Sequence, residues 1–224
     1  MSATNRTPLS DFAPPYSHQF EGGVWASRLL RLLGWRVNFA GVPTGQGVLI
    51  VYPHTSNWDF PVMMLAKWSV GIPARFWGKD KLFRIPLFGR WLTWIGGVPV
   101  QRTAPQGVVR QVVDLFGVKK QSGELFWLGL APEGTRKFLP GWRSGFYQTA
   151  LGAGVPLGLI RLDYGQKEVD VLNFIRLTGD VQADMARIAG FYDGVKGLVP
   201  GRAAPVALLD TQFAREHAVV KGRA

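Results

Sequence analysis

The chain has 224 residues, 47% hydrophobic and 18% charged. That is enough apolar material for one domain with a substantial core, and it excludes a disordered tail. There are 26 Lys and Arg against 15 Asp and Glu, so the formal charge of +11 calls for an anionic partner: nucleic acid, an acidic membrane or a phosphorylated substrate. No cysteine is present, which removes disulfides, thiolate metal sites and cysteine nucleophiles together and fits a reducing compartment.

Residues 1–22 are rich in Pro and polar residues and read as an N-terminal arm, without the basic start and apolar core of a signal peptide. Residues 24–35, VWASRLLRLLGW, form a short basic amphipathic helix, with leucines 29, 30, 32 and 33 on the side of Trp25 and the arginines elsewhere. It either packs on its own domain or lies in a membrane interface. Strands are expected at 47–52, 75–77, 98–100, 124–128, 156–163 and 169–174, and helices at 60–70, 86–94, 106–120, 145–153 and 181–192. The two uncharged stretches, 37–58 and 144–160, are broken by Gly, Pro, Thr or Gln, so neither is expected to span a bilayer. Alternating strands and helices indicate a single α/β domain, 23–199, with a mostly parallel or mixed sheet flanked by helices. A tail follows over 200–224.

Chemistry concentrates at strand ends, where open α/β sheets bind ligands. His18 and His217 fall in the arm and tail, but His54 directly follows the apolar run GVLIVY. Asp59, five residues on, starts the next helix, so the turn between them can bring carboxylate to imidazole. That pairing fixes the tautomer and stabilises the imidazolium of a general base. A plainer reading makes Asp59 a helix cap and His54 a loop residue. No G-x-S-x-G elbow offers a serine nucleophile, and Ser56 reads as a turn hydroxyl, so the hydroxyl to be activated belongs to the substrate. A second cluster, Glu133, Gly134, Thr135, Arg136 and Lys137, follows the strand ELFWL; its arginine suits phosphate, and an ordinary Glu–Arg ion pair is the plainer reading. Arg102 ends a third, GGVPVQR.

These clusters resemble the motif blocks of the glycerolipid acyltransferase family that includes lysophosphatidic acid acyltransferase. The blocks stand in order as His54-Thr-Ser-Asn-Trp-Asp59, Gly97-Val-Pro-Val-Gln-Arg102, the complete Pro132-Glu-Gly-Thr-Arg136, and Val155-Pro156-Leu157. Pro53 and Gln101 depart from the usual flanking residues, and Arg143 stands where lysine is frequent. The resemblance implies the family's fold and transfer of a fatty acyl group from a coenzyme A or carrier-protein thioester to a lysophospholipid hydroxyl, with 1-acylglycerol-3-phosphate the default acceptor. By the same resemblance His54 is the base and Asp59 its orienter, while Arg102 and Arg136 hold the phosphate. Glu133, Gly134, Thr135 and Arg143 complete the substrate site, Val155 and Pro156 border the acyl path, and neither a metal nor another cofactor is expected.

Residues 61–110 hold eight Lys or Arg against one acid, interleaved with Phe76, Trp77, Phe83, Phe88, Trp91 and Trp94. Basic residues mixed with large aromatics suit peripheral contact with an anionic membrane at its cytoplasmic face. A nucleic-acid-binding module would explain the charge but not the His54 and PEGTR blocks. Acyl transfer to a different lysolipid or to an aminolipid is also compatible with these residues, as is lipid binding without catalysis.

Overall fold

The computed structural model describes residues 10–100 and 105–209. The organising element is strand β2 (Gln46–Tyr52), whose side chains alternate between two cores. Val48, Ile50 and Tyr52 point into one apolar cluster, Leu49 into the other. The flanking strands are β1 (Arg36–Phe39), β3 (Arg75–Lys79), β4 (Gly97–Val100), β5 (Phe126–Leu130), β6 (Leu157–Asp163) and β7 (Glu168–Ile175). They form one seven-stranded sheet in the order β1-β7-β6-β2-β5-β3-β4. All neighbours run parallel except β6 and β7, so the sheet is mixed and mostly parallel, as expected.

Helices cover both faces. α1 (Val24–Leu32) and α2 (Asp59–Val70) lie on the Leu49 side, while α5 (Pro105–Gln121), α6 (Gly145–Ala153) and α7 (Val181–Tyr192) lie on the Val48 side. The short helices α3 (Asp80–Phe83) and α4 (Phe88–Trp94) link β3 to β4. From β2 the chain leaves through α2 past β5 to β3. From β5 it leaves through α6, on the opposite face, past β2 to β6. The adjacent ends of β2 and β5 therefore part in opposite directions, the kind of crevice in which α/β sheets bind ligands.

Four features add to or refine the expected elements. The edge strand β1 lacked a legible signal, because four residues are too few for alternation to show. Strand β5 begins two residues later than expected: Glu124 is held in the turn closing α5 by Lys119 (2.6 Å) and by its N–H on the Lys119 carbonyl (3.1 Å). The arm, from Ser10 onward, lies against the domain, with Tyr16 buried edge-on against Phe174 and Arg187 paired with Asp11 at 2.7 Å. On α1 only Ala26 and Leu30 are buried; Val24, Trp25, Leu29, Leu32 and Leu33 remain exposed, so much of the helix's apolar side faces outward.

Candidate active site

His54 and Asp59 meet. The turn after β2 folds back so that His54 Nδ1 lies 3.1 Å from Asp59 Oδ2. The same oxygen accepts the backbone N–H groups of Thr55 (2.8 Å) and Ser56 (2.9 Å), so the carboxylate ties down the whole turn. Asp59 is buried, whereas one fifth of the His54 side chain is exposed. With Nδ1 committed to Asp59, Nε2 is the ring nitrogen available to a substrate. Ser56 behaves as a turn hydroxyl, its Oγ accepting the Trp58 N–H at 3.2 Å.

Glu133 occupies a place the sequence did not suggest. Its Oε2 accepts the His54 backbone N–H (2.5 Å) and its Oε1 that of Ala204 (2.9 Å). The side chain is buried, and among the described residues it pairs with no arginine. Desolvation pushes its carboxyl up to about 7, against the lowering effect of the two N–H groups and with help from the Asp59 charge. Glu133 thus holds the His54 backbone from behind the imidazole. The same contact anchors the C-terminal segment, which also meets the site through Val199 N–H on Thr55 Oγ1 (3.2 Å) and Tyr52 on the Ala204 carbonyl (2.9 Å).

A further residue unforeseen from the sequence is Tyr164, in the turn after β6. Its hydroxyl and Asp59 Oδ1 are both buried, and among the described residues neither atom reaches a partner at hydrogen-bonding geometry. They are nonetheless close in electrostatic terms: burial first, then the Asp59 charge, hold the Tyr164 hydroxyl protonated well above its usual range.

In front of His54 opens a cavity of about 810 Å³. Phe60, Met63, Met64, Phe76, Trp77 and Leu92 give it largely apolar walls, while Arg136 and Arg143 stand among the residues around His54 with no carboxylate paired to them among the described residues. Gly134 sits at φ +65°, and a Cβ there would stand 2.9 Å from Arg143 Cδ, so the bare backbone lets that arginine cross the loop. Thr135 also lines the cavity. Arg102 lies outside the described residues. Val155 and Pro156, expected to border an acyl path, are not among the residues lining this cavity. They sit at the N-terminal end of β6, where Val48 N–H donates to the Pro156 carbonyl (3.0 Å), whereas His54 follows the other end of β2. Val155 packs instead into the core beneath α6.

The fold and site together define an α/β protein with a carboxylate-oriented histidine at the end of a central strand. The chain belongs to the acyltransferase family, whose family model matches residues 36–158, more than half its length and including His54, Asp59 and the PEGTR segment. Among solved structures it is similar to the 1-acyl-sn-glycerophosphate (LPA) acyltransferase PlsC from Thermotoga maritima. The two share 18% identity over 72% of this chain and 70% of that one, with a TM-score of 0.49. No curated protein matches the chain.

Proposed function

We propose that this acyltransferase moves a fatty acyl group from a thioester, carried by coenzyme A or a carrier protein, to the hydroxyl of a lysophospholipid, with 1-acylglycerol-3-phosphate the first acceptor to test. The observation that carries this reading is the 3.1 Å His54–Asp59 pair, set in a cavity with apolar walls and two arginines that pair with no carboxylate among the described residues. Apolar walls suit an acyl chain, and the guanidinium forks suit a phosphate.

In this mechanism His54 Nε2 removes the proton from the acceptor hydroxyl as its oxygen attacks the thioester carbonyl. The tetrahedral intermediate collapses, the C–S bond breaks, and the imidazolium returns the proton to the departing thiolate. Asp59 stabilises the imidazolium meanwhile. General-base assistance of this kind is worth about 10²–10⁴-fold, and positioning by the cavity and arginines supplies much of the rest.

Access to a lipid acceptor comes from the side of a membrane. Among the described residues no helix is long and apolar enough to cross one. The outward side chains of α1, together with exposed Leu87, Trp91 and Trp94 on and beside α4, offer an interfacial surface in a strongly basic chain. That surface supports a reading of peripheral contact with the anionic cytoplasmic leaflet.

The test is an acceptor screen with an isotopically labelled acyl thioester, read by mass spectrometry. Acylated lysophospholipid formed by the wild type and not by His54→Ala is the expected result. Lipid binding without any product, across phosphorylated, zwitterionic and amino acceptors, would overturn it in favour of a non-catalytic lipid-binding role.

A further inference from the structure

The cavity holds a second pair of cations away from the reacting pair. Lys67 lies on α2 eight residues beyond Asp59, a rise of about 12 Å along the helix. Arg75 opens β3 level with Leu128 of β5, toward the opposite end of the sheet from His54. Both line the cavity. Both also crowd one point: a Cβ on Gly96 would stand 2.8 Å from Lys67 Nζ and 3.7 Å from Arg75 Cδ.

Lys67 Nζ donates to the Ile95 carbonyl at 2.7 Å, at the C-terminal end of α4. This contact is a favourable cap, but it uses one of the three ammonium protons. No carboxylate pairs with Lys67 or Arg75 among the described residues. Two like charges close together, one of them half-buried, are unfavourable until an anion joins them. Burial, with the Arg75 charge added, brings the Lys67 ammonium down to about 8, so it still carries its charge near neutral pH.

We infer that Lys67 and Arg75 form an oxyanion-binding subsite at the far end of the cavity, taking a carboxylate or phosphate. The oxyanion has two possible sources. It can arrive on the distal end of a chain threaded from the His54 side. It can also enter from solvent past Arg75, which is exposed, as a free phosphate or lipid headgroup. The chain-borne source alone rests on the acyl-cavity reading proposed above.

The experiment reads binding without turnover, so a failure of acyl transfer and a failure of this subsite are separate results. Dodecanedioate and dodecanoate are titrated into the full-length protein by calorimetry, and inorganic phosphate against chloride at equal ionic strength while the Lys67 ammonium resonance is followed by NMR. The same titrations are run on Lys67→Met and Arg75→Gln. Arg75 is exposed, so its variant keeps the test decisive if Lys67→Met does not fold. Dodecanedioate binding at least tenfold tighter than dodecanoate, with the ratio falling toward one in the variants, supports the subsite with a chain-borne anion. A phosphate-specific shift of the Lys67 resonance that Arg75→Gln abolishes, without a dicarboxylate advantage, supports it with a free anion or headgroup. If neither probe distinguishes wild type from the variants, there is no such subsite.

Discussion

Asp59 Oδ2 takes three partners at once: His54 Nδ1 at 3.1 Å and the backbone N–H groups of Thr55 and Ser56. One oxygen thereby sets both the shape of the turn and the orientation of the imidazole. His54→Ala should remove transfer while preserving the fold, because the ring is partly exposed and contributes little packing. Asp59→Asn should lower kcat/KM by about 10²–10⁴-fold, since the amide keeps the shape but not the charge that supports an imidazolium. Turnover and thermal melting of both variants check this. A folded Asp59→Asn protein at full rate would reduce Asp59 to a turn-closing residue.

Arg136 and Arg143 make no ion pair among the described residues and share the cavity with His54. Arg136→Ala and Arg143→Ala should each weaken use of a phosphorylated acceptor by about ten- to a hundredfold in kcat/KM, the worth of one charge-assisted hydrogen bond. Use of the thioester donor should change less. The decisive comparison is the phosphorylated acceptor against its dephosphorylated counterpart. If the preference for phosphate is the same in wild type and both variants, the phosphate is held elsewhere, and Arg102 becomes the residue to test.

The parts legible in sequence were those whose partners lie close along the chain. His54 and Asp59 are one turn apart, and the ends of β2 and β5 were marked by abrupt shifts from apolar to polar residues. Glu133 was found, but its role was not, because its two partners lie 79 and 71 residues away and are backbone N–H groups, which carry no residue-type signal. Tyr164 was missed for the same reason: nothing near it in sequence is catalytic. Val155 and Pro156 show the limit of motif order. Their place in the order of the motif blocks suggested the acyl path, yet the parallel register of β6 with β2 sets them at the other end of the sheet.

Glu133 predicts a pH dependence of stability. Its carboxyl titrates near 7 in the folded chain and near 4.5 when unfolded, so between these values the native state holds the extra proton. Stability from this group is therefore lost as pH rises from about 4.5 to about 7, by on the order of 3 kcal/mol. Glu133→Gln cannot titrate, so urea unfolding across this range should show the variant gaining on wild type as pH rises. Its amide NH₂ also cannot accept a backbone N–H, so turnover should fall as the His54 anchor loosens. A stability difference independent of pH would mean that Glu133 is ionised throughout.

The buried Tyr164 hydroxyl lies within electrostatic reach of Asp59 without a hydrogen bond to its buried Oδ1, and its dipole tempers the carboxylate's charge. Tyr164→Phe leaves that charge less neutralised, which strengthens its hold on the His54 imidazolium. Because a general base must be neutral to accept a proton, the acid limb of the kcat/KM profile should move to higher pH. Loss of packing alone would lower the rate without moving the limb. An unmoved limb therefore removes Tyr164 from the mechanism.

The proposed membrane-binding surface combines charge with exposed apolar side chains, and the two respond differently to salt. Each Lys or Arg near an anionic surface contributes about 1 kcal/mol, and this attraction fades within a Debye length of about 8 Å at physiological ionic strength. Trp25, Leu32, Leu33 and Trp94 are exposed, and apolar burial by such side chains does not fade with salt. Association with anionic liposomes should thus weaken as salt rises and level off at a resistant remainder, while neutral liposomes bind less at low salt. Charge reversal at Lys79, Lys81 and Arg84 should cut the salt-sensitive part. In the structure Arg84 is already paired with Asp80 at 2.6 Å, so Arg84 should contribute least of the three. Replacing Trp25 and Leu32 with Ser should cut the resistant part, with little change in melting temperature because neither side chain is buried. Sedimentation of each variant with both liposome types separates the two contributions. Equal binding to neutral and anionic liposomes at low salt would eliminate the electrostatic one, and an unchanged salt-resistant remainder in the Trp25 and Leu32 variant would move the insertion surface away from α1.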